Sequence, residues 1–215
     1  MSKYSDVHEA CYDGNLAMVK SIFEKEDVRE IFNSRYGYDG RTVLHDACAG
    51  DNPEVLEFLI ETLENGYNDG KWSGHFIENI LNATTHSLVG ENRMDYTALH
   101  IAIGLNTSKC TNLLLDNPRT SFLLGDGSDN HTILHIACFR KDKKCVAELL
   151  AHPRCKDIIN VRTIHGLTAL VLSLSSEYGT EEILELLLNY PYTDMTIRIP
   201  KSLFLEVKSK LTQIQ

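Results

Sequence analysis

Long apolar runs and proline are scarce in this sequence, and tryptophan occurs once. Its 215 residues include five prolines and are 43% hydrophobic, a composition typical of globular rather than disordered proteins. No stretch approaches the roughly 20 apolar residues that span a bilayer, and residues 1–14 contain no apolar segment of the signal-peptide type. We therefore expect no membrane insertion and an intracellular location, in the cytoplasm, the nucleus or both.

Basic charge is also scarce. The chain carries 30 acidic and 21 basic residues, a formal net charge of −9, so it lacks the basic footprint typical of nucleic-acid-binding proteins. Its six cysteines form no CxxC pair, which in the absence of a secretion signal favours reduced, buried thiols over a disulfide framework. We expect no nucleic-acid partner.

The common signatures of catalysis are missing. The sequence contains no G-x-S-x-G, no H-E-x-x-H and no glycine-rich loop followed by Lys-Ser/Thr, patterns that position a nucleophile, a zinc ion or a phosphate. Histidines at corresponding places in successive repeats would lie about 10 Å apart, whereas zinc ligands converge to about 2.0–2.3 Å from one ion. We expect no catalysis, no cofactor and no metal site.

What the chain does contain is an internal repeat. Thr42, Thr97 and Thr132 each begin a tetrapeptide of the form Thr-apolar-Leu-His, and Thr168 begins a degenerate fourth copy. Roughly ten residues after each tetrapeptide come apolar residues at i, i+1, i+4 and i+5 or part of that pattern, the spacing of one helix face. Each unit therefore predicts a short helix, a turn and a longer helix, which bury their apolar sides only by stacking on neighbours.

One interval between repeats is enlarged. The four threonines are separated by 55, 35 and 36 residues, and the extra length of the first interval predicts an insertion at 64–92. Its Gly- and Asn-rich part is typical of a loop, and residues 76–81 predict a short helix. We expect an extended second helix and a packed loop there; the alternative is an elaboration that binds a partner and includes Trp72.

The repeat also predicts the boundaries of the units. We expect a single domain over residues 1–215 whose units lie at roughly 4–36, 37–92, 93–127, 128–162 and 163–197. An amphipathic stretch at 200–211 predicts a capping helix, and together with the initial Met1 it favours a natural end of the chain.

These residues resemble the ankyrin repeats. The resemblance is carried by residues 40–48, 96–102, 131–138 and 166–170, which recur in register, although the proline that usually follows the threonine is Val, Ala or Ile here. It implies an all-α ankyrin-repeat solenoid of about five helix-turn-helix units, with a C-terminal capping helix and an enlarged loop within the second unit. It also implies that the repeated histidine is a structural hydrogen-bonding residue, bonded to the threonine and to neighbouring backbone.

The resemblance further implies a function, the binding of a protein or peptide partner on the concave face formed by turn tips and first helices. The family's variable contact positions lie just before the threonine and at the end of the first helix. Here these positions, with Trp72 of the insertion, give the candidate partner-binding residues Tyr12, Asp13, Tyr38, Asp39, Arg41, Arg93, Met94, Tyr96, Leu105, His131, Phe139, Arg140, Ile164, His165, Leu167 and Trp72. Tyr and Arg are enriched at binding hot spots; packing between units is the alternative.

Several roles remain open for such a module. Arg41, Arg93 and Arg140 lie among few acidic residues at these positions, which favours an acidic, hydrophobic peptide as partner. The module is then an adaptor or scaffold that joins partners, a stoichiometric inhibitor that masks one partner, or the recognition domain of a larger enzyme, channel or pathogen-secreted effector. By itself we expect it to be monomeric.

Overall fold

The computed structural model of the chain describes residues 4–89, 92–127, 129–175 and 179–196, without the side chains of 87–89 and 92–94. The capping helix expected at 200–211 lies outside the described residues. By its internal contacts the chain divides into an N-terminal unit, Met1–Ser121 with Asp126–Ser128, and a C-terminal unit, Phe122–Gly125 with Asp129–Gln215.

The N-terminal unit is built from paired helices in two layers. Its elements in chain order are α1 (Ser5–Tyr12), α2 (Leu16–Lys25), α3 (Val28–Asn33), α4 (Val43–Ala49), α5 (Pro53–Asn68), α6 (Gly74–Leu81), β1 (Ser87–Val89), β2 (Asn92–Met94), α7 (Ala98–Gly104) and α8 (Ser108–Asp116). The first helices α1, α4 and α7 pack on one another in sequence, and the second helices α2, α5 and α8 form the other layer.

The C-terminal unit repeats this arrangement. It contains α9 (Ile133–Phe139), α10 (Lys143–Ala151), a short 3₁₀ helix (Pro153–Asp157), α11 (Ala169–Ser173) and α12 (Glu181–Asn189). Helix α9 packs against α11, and α10 packs against α12. The alternation of short and longer helices predicted from the repeat is thus confirmed in both units.

Local signals in the sequence explain where the helices begin and how closely they pack. Thr97 accepts a hydrogen bond from the His100 backbone N–H, Asp142 caps α10 in the same way, and Pro53 occupies the first turn of α5. The small residues Ala47 and Ala102 at the centres of the first helices are fully buried. A side chain that small lets neighbouring helices approach closely, while the longer helices contribute the large apolar residues of the core.

The turn between the two helices of each of the first four repeats uses a left-handed residue at one register position. Gly14, Asp51, Asn106 and Lys141 follow the first helices in successive repeats, with φ angles of 73°, 54°, 59° and 54°. Only glycine adopts this conformation without strain. The position is therefore fixed by backbone geometry rather than by residue type.

The insertion differs in part from the sequence prediction. Helix α5 is 16 residues long and α6 covers the predicted short helix. Strands β1 and β2, which the sequence did not predict, pair antiparallel with Ser87 opposite Met94 and Val89 opposite Asn92. Three-residue strands carry too few residues to show a period-two pattern. Within the described residues, no helix is long and apolar enough to cross a bilayer.

Candidate functional site

The repeated histidines are structural. In the pairs Thr42/His45 and Thr132/His135 the threonine backbone N–H donates to the histidine Nδ1 over 3.1 Å. With Nδ1 accepting, Nε2 carries the proton and faces a carbonyl oxygen of the following repeat, that of Tyr96 at 2.9 Å from His45 and that of Leu167 at 3.2 Å from His135. Each histidine thus fixes its own helix start and the next loop, as the resemblance implies.

Burial makes this role depend on a neutral ring. His45 is 1% exposed, and desolvation lowers the pKa of His45 to about 3. A ring with so low a pKa stays uncharged in water of any ordinary pH. Among the described residues, no group of three or more His, Cys, Asp or Glu side chains is placed to hold a metal ion.

The first repeat has no threonine before its histidine, and different chemistry holds His8. Its Nδ1 lies 2.6 Å from Asp46 Oδ2, and its Nε2 lies 2.8 Å from Ser34 Oγ. Arg41 completes the network, with one guanidinium nitrogen 3.2 Å from Asp46 Oδ1. His8 and Asp46 are 0% and 1% exposed, so the network is a buried, charged joint between α1, the end of α3 and α4.

Sequence reasoning missed Asp46, although the register contains a signal for it. The corresponding positions in the next two repeats are Ile101 and Ile136, so a carboxylate stands where the repeat places an apolar side chain. A buried carboxylate requires a partner. The histidine 38 residues earlier and the arginine five residues earlier supply it.

Ser34, His8 and Asp46 stand in the hydrogen-bond order of a serine hydrolase triad, but the serine is not available as a nucleophile. Its Oγ donates to the Ile31 carbonyl oxygen over 2.6 Å, so it accepts from His8 rather than giving it a proton. The His8 ring is fully buried, and the Tyr36 ring stacks on it at 5.3 Å between centroids. The arrangement therefore joins helices.

A cleft of about 280 Å³ opens beside this network. Its walls are formed by Glu9, Tyr12 and Asp13 of the first repeat and by Tyr36 and Arg41 of the second, and it reaches His8 and Asp46. The Tyr36 hydroxyl donates to Glu9 Oε1 over 2.9 Å, a bond that raises the pKa of the Tyr36 phenol. The cleft thus combines two aromatic rings with carboxylates.

A tight turn presents the neighbouring candidate residues. Tyr36 and Arg41 exchange two backbone hydrogen bonds of 2.9 Å, and Tyr38 lies at the tip of this turn, fully exposed. Leu105, at the end of α7, is 53% exposed, and Tyr12 is 50% exposed. We call the set of Tyr12, Asp13, Tyr38, Asp39 and Leu105 the N-terminal recognition face.

The charge of this face differs from the expectation. Arg41 lies 3.3 Å from Asp39 through Nε and 3.2 Å from Asp46 through its terminal nitrogen, so its positive charge is already matched. Glu9 and Asp13 remain beside it as exposed carboxylates. The local surface is acidic and aromatic, so Arg41 gives no preference for an acidic peptide here.

The other candidates of the N-terminal unit are less exposed or lie outside the description. Tyr96 is partly buried and packs on His100, with 6.2 Å between ring centroids. Arg93 and Met94 belong to β2, and their side chains lie outside the described ones. Trp72 is partly buried, in edge-to-face contact with Phe32 of α3 and 5.5 Å from Phe76 of α6, so it packs the insertion against α3.

In the C-terminal unit the candidates form two groups. His131 packs edge-on against Phe139 at 4.9 Å, and Arg140 is exposed at the end of α9. Ile164 is 64% exposed in the loop before α11, beside the exposed His165. Leu167 is partly buried, and its carbonyl oxygen is the one that faces His135.

The cysteines are all free and buried, as expected. Burial raises the pKa of Cys145 and Cys155 to about 12 and that of Cys11 and Cys138 further. Cys48 hydrogen-bonds Cys110, which raises the pKa of the Cys48 thiol. A thiol is nucleophilic only as the thiolate, so these environments suit packing.

Comparisons with known proteins agree with this architecture. A sequence profile described as "Ankyrin repeats (3 copies)" matches residues 7–122 and again residues 119–199. No curated protein sequence matches the chain significantly. Among solved structures, a chain of the complex between a predatory endopeptidase of Bdellovibrio bacteriovorus and an immunity protein is 21% identical, with a TM-score of 0.67 over 97% of this chain and 93% of that chain.

A second similar structure is a chain of the complex between the yeast ribosomal protein Rps3 and its chaperone Yar1. It is 19% identical, with a TM-score of 0.51 over 64% of this chain and 85% of that chain. At these identities both structures support the fold alone. Because the repeat profile covers most of the sequence and the helix pairs follow its register, the chain belongs to the ankyrin-repeat family, a family of protein–protein interaction modules.

Proposed function

We propose that the chain is a non-catalytic interaction module that binds a protein or peptide partner through its N-terminal recognition face. The observation that carries this proposal is the exposure of Tyr12, Tyr38 and Leu105 at 50%, 108% and 53%. These large side chains come from three successive repeats. They occupy the positions at which the family binds its partners, and large exposed apolar and aromatic side chains are typical of binding sites.

Hydrogen bonds to neighbouring repeats hold two of the loops that carry candidate residues. The His45 ring bonds the Tyr96 carbonyl oxygen. Asn52 Nδ2 likewise donates to the Tyr12 carbonyl oxygen over 2.6 Å. A surface that is ordered before binding loses less conformational entropy when a partner docks.

Two features support the non-catalytic part of the proposal. The Ser34 hydroxyl is committed to the Ile31 carbonyl oxygen, and burial holds the pKa of Cys145 and Cys155 near 12. Neither a serine nor a thiolate nucleophile is thus available from these groups.

The proposal is tested by affinity capture from lysate with a Tyr12→Ala/Tyr38→Ala/Leu105→Ala variant beside the unmodified chain. The matched control is Met18→Ala/Tyr67→Ala, which removes two side chains that are 40% and 42% exposed outside the recognition face. We expect the triple variant to lose a protein that both other forms retain, with unchanged circular dichroism. Capture of the same set by all three forms would contradict the proposal.

The captured protein then distinguishes the roles left open by the sequence. An adaptor binds a second protein while the first is bound, and a stoichiometric inhibitor lowers its partner's activity in proportion to the amount of complex. We favour the adaptor because the C-terminal unit carries its own exposed groups, Arg140, Ile164 and His165. If occupying one face prevents all further binding and lowers the partner's activity, the inhibitor is the correct role.

A further inference from the structure

The cleft between the first two repeats shares Tyr12 and Asp13 with the N-terminal recognition face, and it differs from the rest of that face in being a defined cavity. Its volume of about 280 Å³ is slightly below the roughly 300–1,000 Å³ of pockets that take drug-sized ligands. A cavity of this size fits one long side chain of a partner. The chemistry of its walls decides which side chain that is.

The charges in the cleft leave a negative excess. The buried Asp46 carboxylate hydrogen-bonds the His8 ring at 2.6 Å, and Arg41, at 3.2 Å, matches its charge. Glu9 accepts the neutral Tyr36 hydroxyl, and no ion pair joins it to a cation in the part of the chain that the structure describes. Among the residues that the structure describes, none forms an ion pair or side-chain hydrogen bond with Asp13, which is exposed at the end of α1. Two carboxylates at the rim therefore remain without a cation.

The aromatic residues of the cleft favour an arginine over a lysine side chain. Tyr12 is half exposed, and Tyr36 is fixed from two sides by its stacking on His8 and its bond to Glu9. Aromatic faces attract cations, and a planar guanidinium combines stacking on such a face with paired N–H bonds to a carboxylate. A lysine ammonium is more strongly hydrated and lacks the planar fork.

We propose that this cleft binds the guanidinium group of an arginine from an extended segment of the partner. The guanidinium lies against Tyr12 and Tyr36 and donates to Glu9 and Asp13, while Tyr38 contacts apolar residues that flank the arginine. The assignment rests on the proposed function, since it names the chemistry of the partner at that same face. It reverses the sign of charge that the candidate arginines of the sequence favoured.

The test titrates the full chain, labelled with ¹⁵N, with N-acetyl-arginine N-methylamide and follows its backbone amide signals. The citrulline analogue, which is neutral and nearly isosteric, and the lysine analogue serve as probes of charge and shape. We expect saturable shifts around residues 9–13 and 36–41 with arginine and none with citrulline. Asp13→Asn weakens binding about tenfold, the size expected for a lost charged hydrogen bond.

The control variant is Glu61→Gln, which removes one exposed negative charge from α5 outside the cleft and is expected to bind arginine like the unmodified chain. Equal binding of arginine and citrulline, equal binding of arginine and lysine, or no effect of Asp13→Asn would each overturn the inference. Loss of a captured protein with the triple alanine variant but no arginine-specific shift would overturn this inference alone. Unchanged capture would overturn the proposed function instead.

Discussion

His8 and His45 occupy the same place in consecutive repeats, yet their surroundings are opposite in character. His45 is a neutral ring that bonds its own threonine and the next loop. His8 faces a buried carboxylate and a serine hydroxyl from two other parts of the chain. Where a repeat keeps its threonine and histidine, their hydrogen bonds hold the scaffold together. The first repeat lacks the threonine, and there a buried polar network and an open cleft lie side by side.

Asp46→Ile is expected to cause the largest loss of stability. It gives the second repeat the isoleucine that the next two repeats have at the corresponding position. It leaves the buried His8 without its carboxylate and removes one of the two carboxylates beside Arg41. Breaking a buried network in this way is expected to cost about 3–5 kcal/mol of unfolding free energy. The measurement is urea denaturation followed by the fluorescence of Trp72, which packs on Phe32 within the N-terminal unit.

The double variant His8→Leu/Asp46→Ile serves as its control. With both polar partners replaced by apolar residues, most of the lost stability is expected to return, because no buried histidine is left without its carboxylate. Arg41 keeps Asp39 as its partner, and Ser34 keeps its bond to the Ile31 carbonyl oxygen. A double variant as unstable as the single one would show that packing around α4, rather than the charged pair, is what Asp46→Ile disturbs.

Acidification tests whether the His45 ring is neutral in the folded chain. The pKa of His45 falls from its ordinary 6.5 to about 3 in the folded chain, so below pH 6.5 the unfolded chain binds a proton that the folded chain does not. The buried, neutral His45 ring therefore stabilises the folded chain fully above pH 6.5. This stabilisation is lost as the pH falls towards 3, at up to about 1.4 kcal/mol per pH unit. His45→Gln should therefore flatten the slope of unfolding free energy between pH 6 and 4.5, and parallel slopes would contradict this.

Substitutions at two glycines test how tightly the chain is packed at the first junction between repeats and at the end of α7. A Cβ at Gly50 would lie 1.9 Å from the Tyr12 carbonyl oxygen, whereas a Cβ at Gly104 meets nothing within 4 Å. Gly50→Ala is expected to cost about 1–3 kcal/mol, as overpacking does, and Gly104→Ala to add about 0.5 kcal/mol by restricting the unfolded chain. Thermal denaturation measures both, and similar effects of the two changes would show that the first junction is not tightly packed.

The smallest effect is expected at the surface. Asp13→Asn and Tyr38→Ala should each change the unfolding free energy by less than about 0.5 kcal/mol, because neither side chain supports a buried group. The same urea experiment checks this. A larger loss would assign these residues to the fold rather than to binding, and so would weaken the recognition face as a candidate site.

The elements of the scaffold could be predicted because their signals are local and repeated. The threonine and histidine that open α4, α7 and α9 lie three residues apart. The apolar spacing that predicts the second helices needs only one helix face. The same reasoning predicted the short helix of the insertion, α6. Such features follow from neighbours in the sequence, so one chain suffices to find them.

The candidate site depended on long-range contacts that no local pattern reveals. His8 and Asp46 are 38 residues apart, and Tyr36 meets Glu9 from 27 residues away. The charge of Arg41 could not be weighed before the structure showed both of its carboxylate neighbours. Trp72 is a further example. The sequence does not show whether its ring is packed or free to bind a partner, because only three-dimensional contacts decide this.

The left-handed turns between helices have a consequence for engineering this scaffold. Asp51, Asn106 and Lys141 hold a backbone conformation that costs an L-residue roughly 1–2 kcal/mol, and Gly14 shows that glycine is accepted at the same register position. Natural chains are selected to exceed a threshold rather than to reach the greatest stability their fold permits. Glycine at these three positions is therefore expected to stabilise the fold. The resulting chain would be a more stable template onto which other recognition surfaces can be grafted.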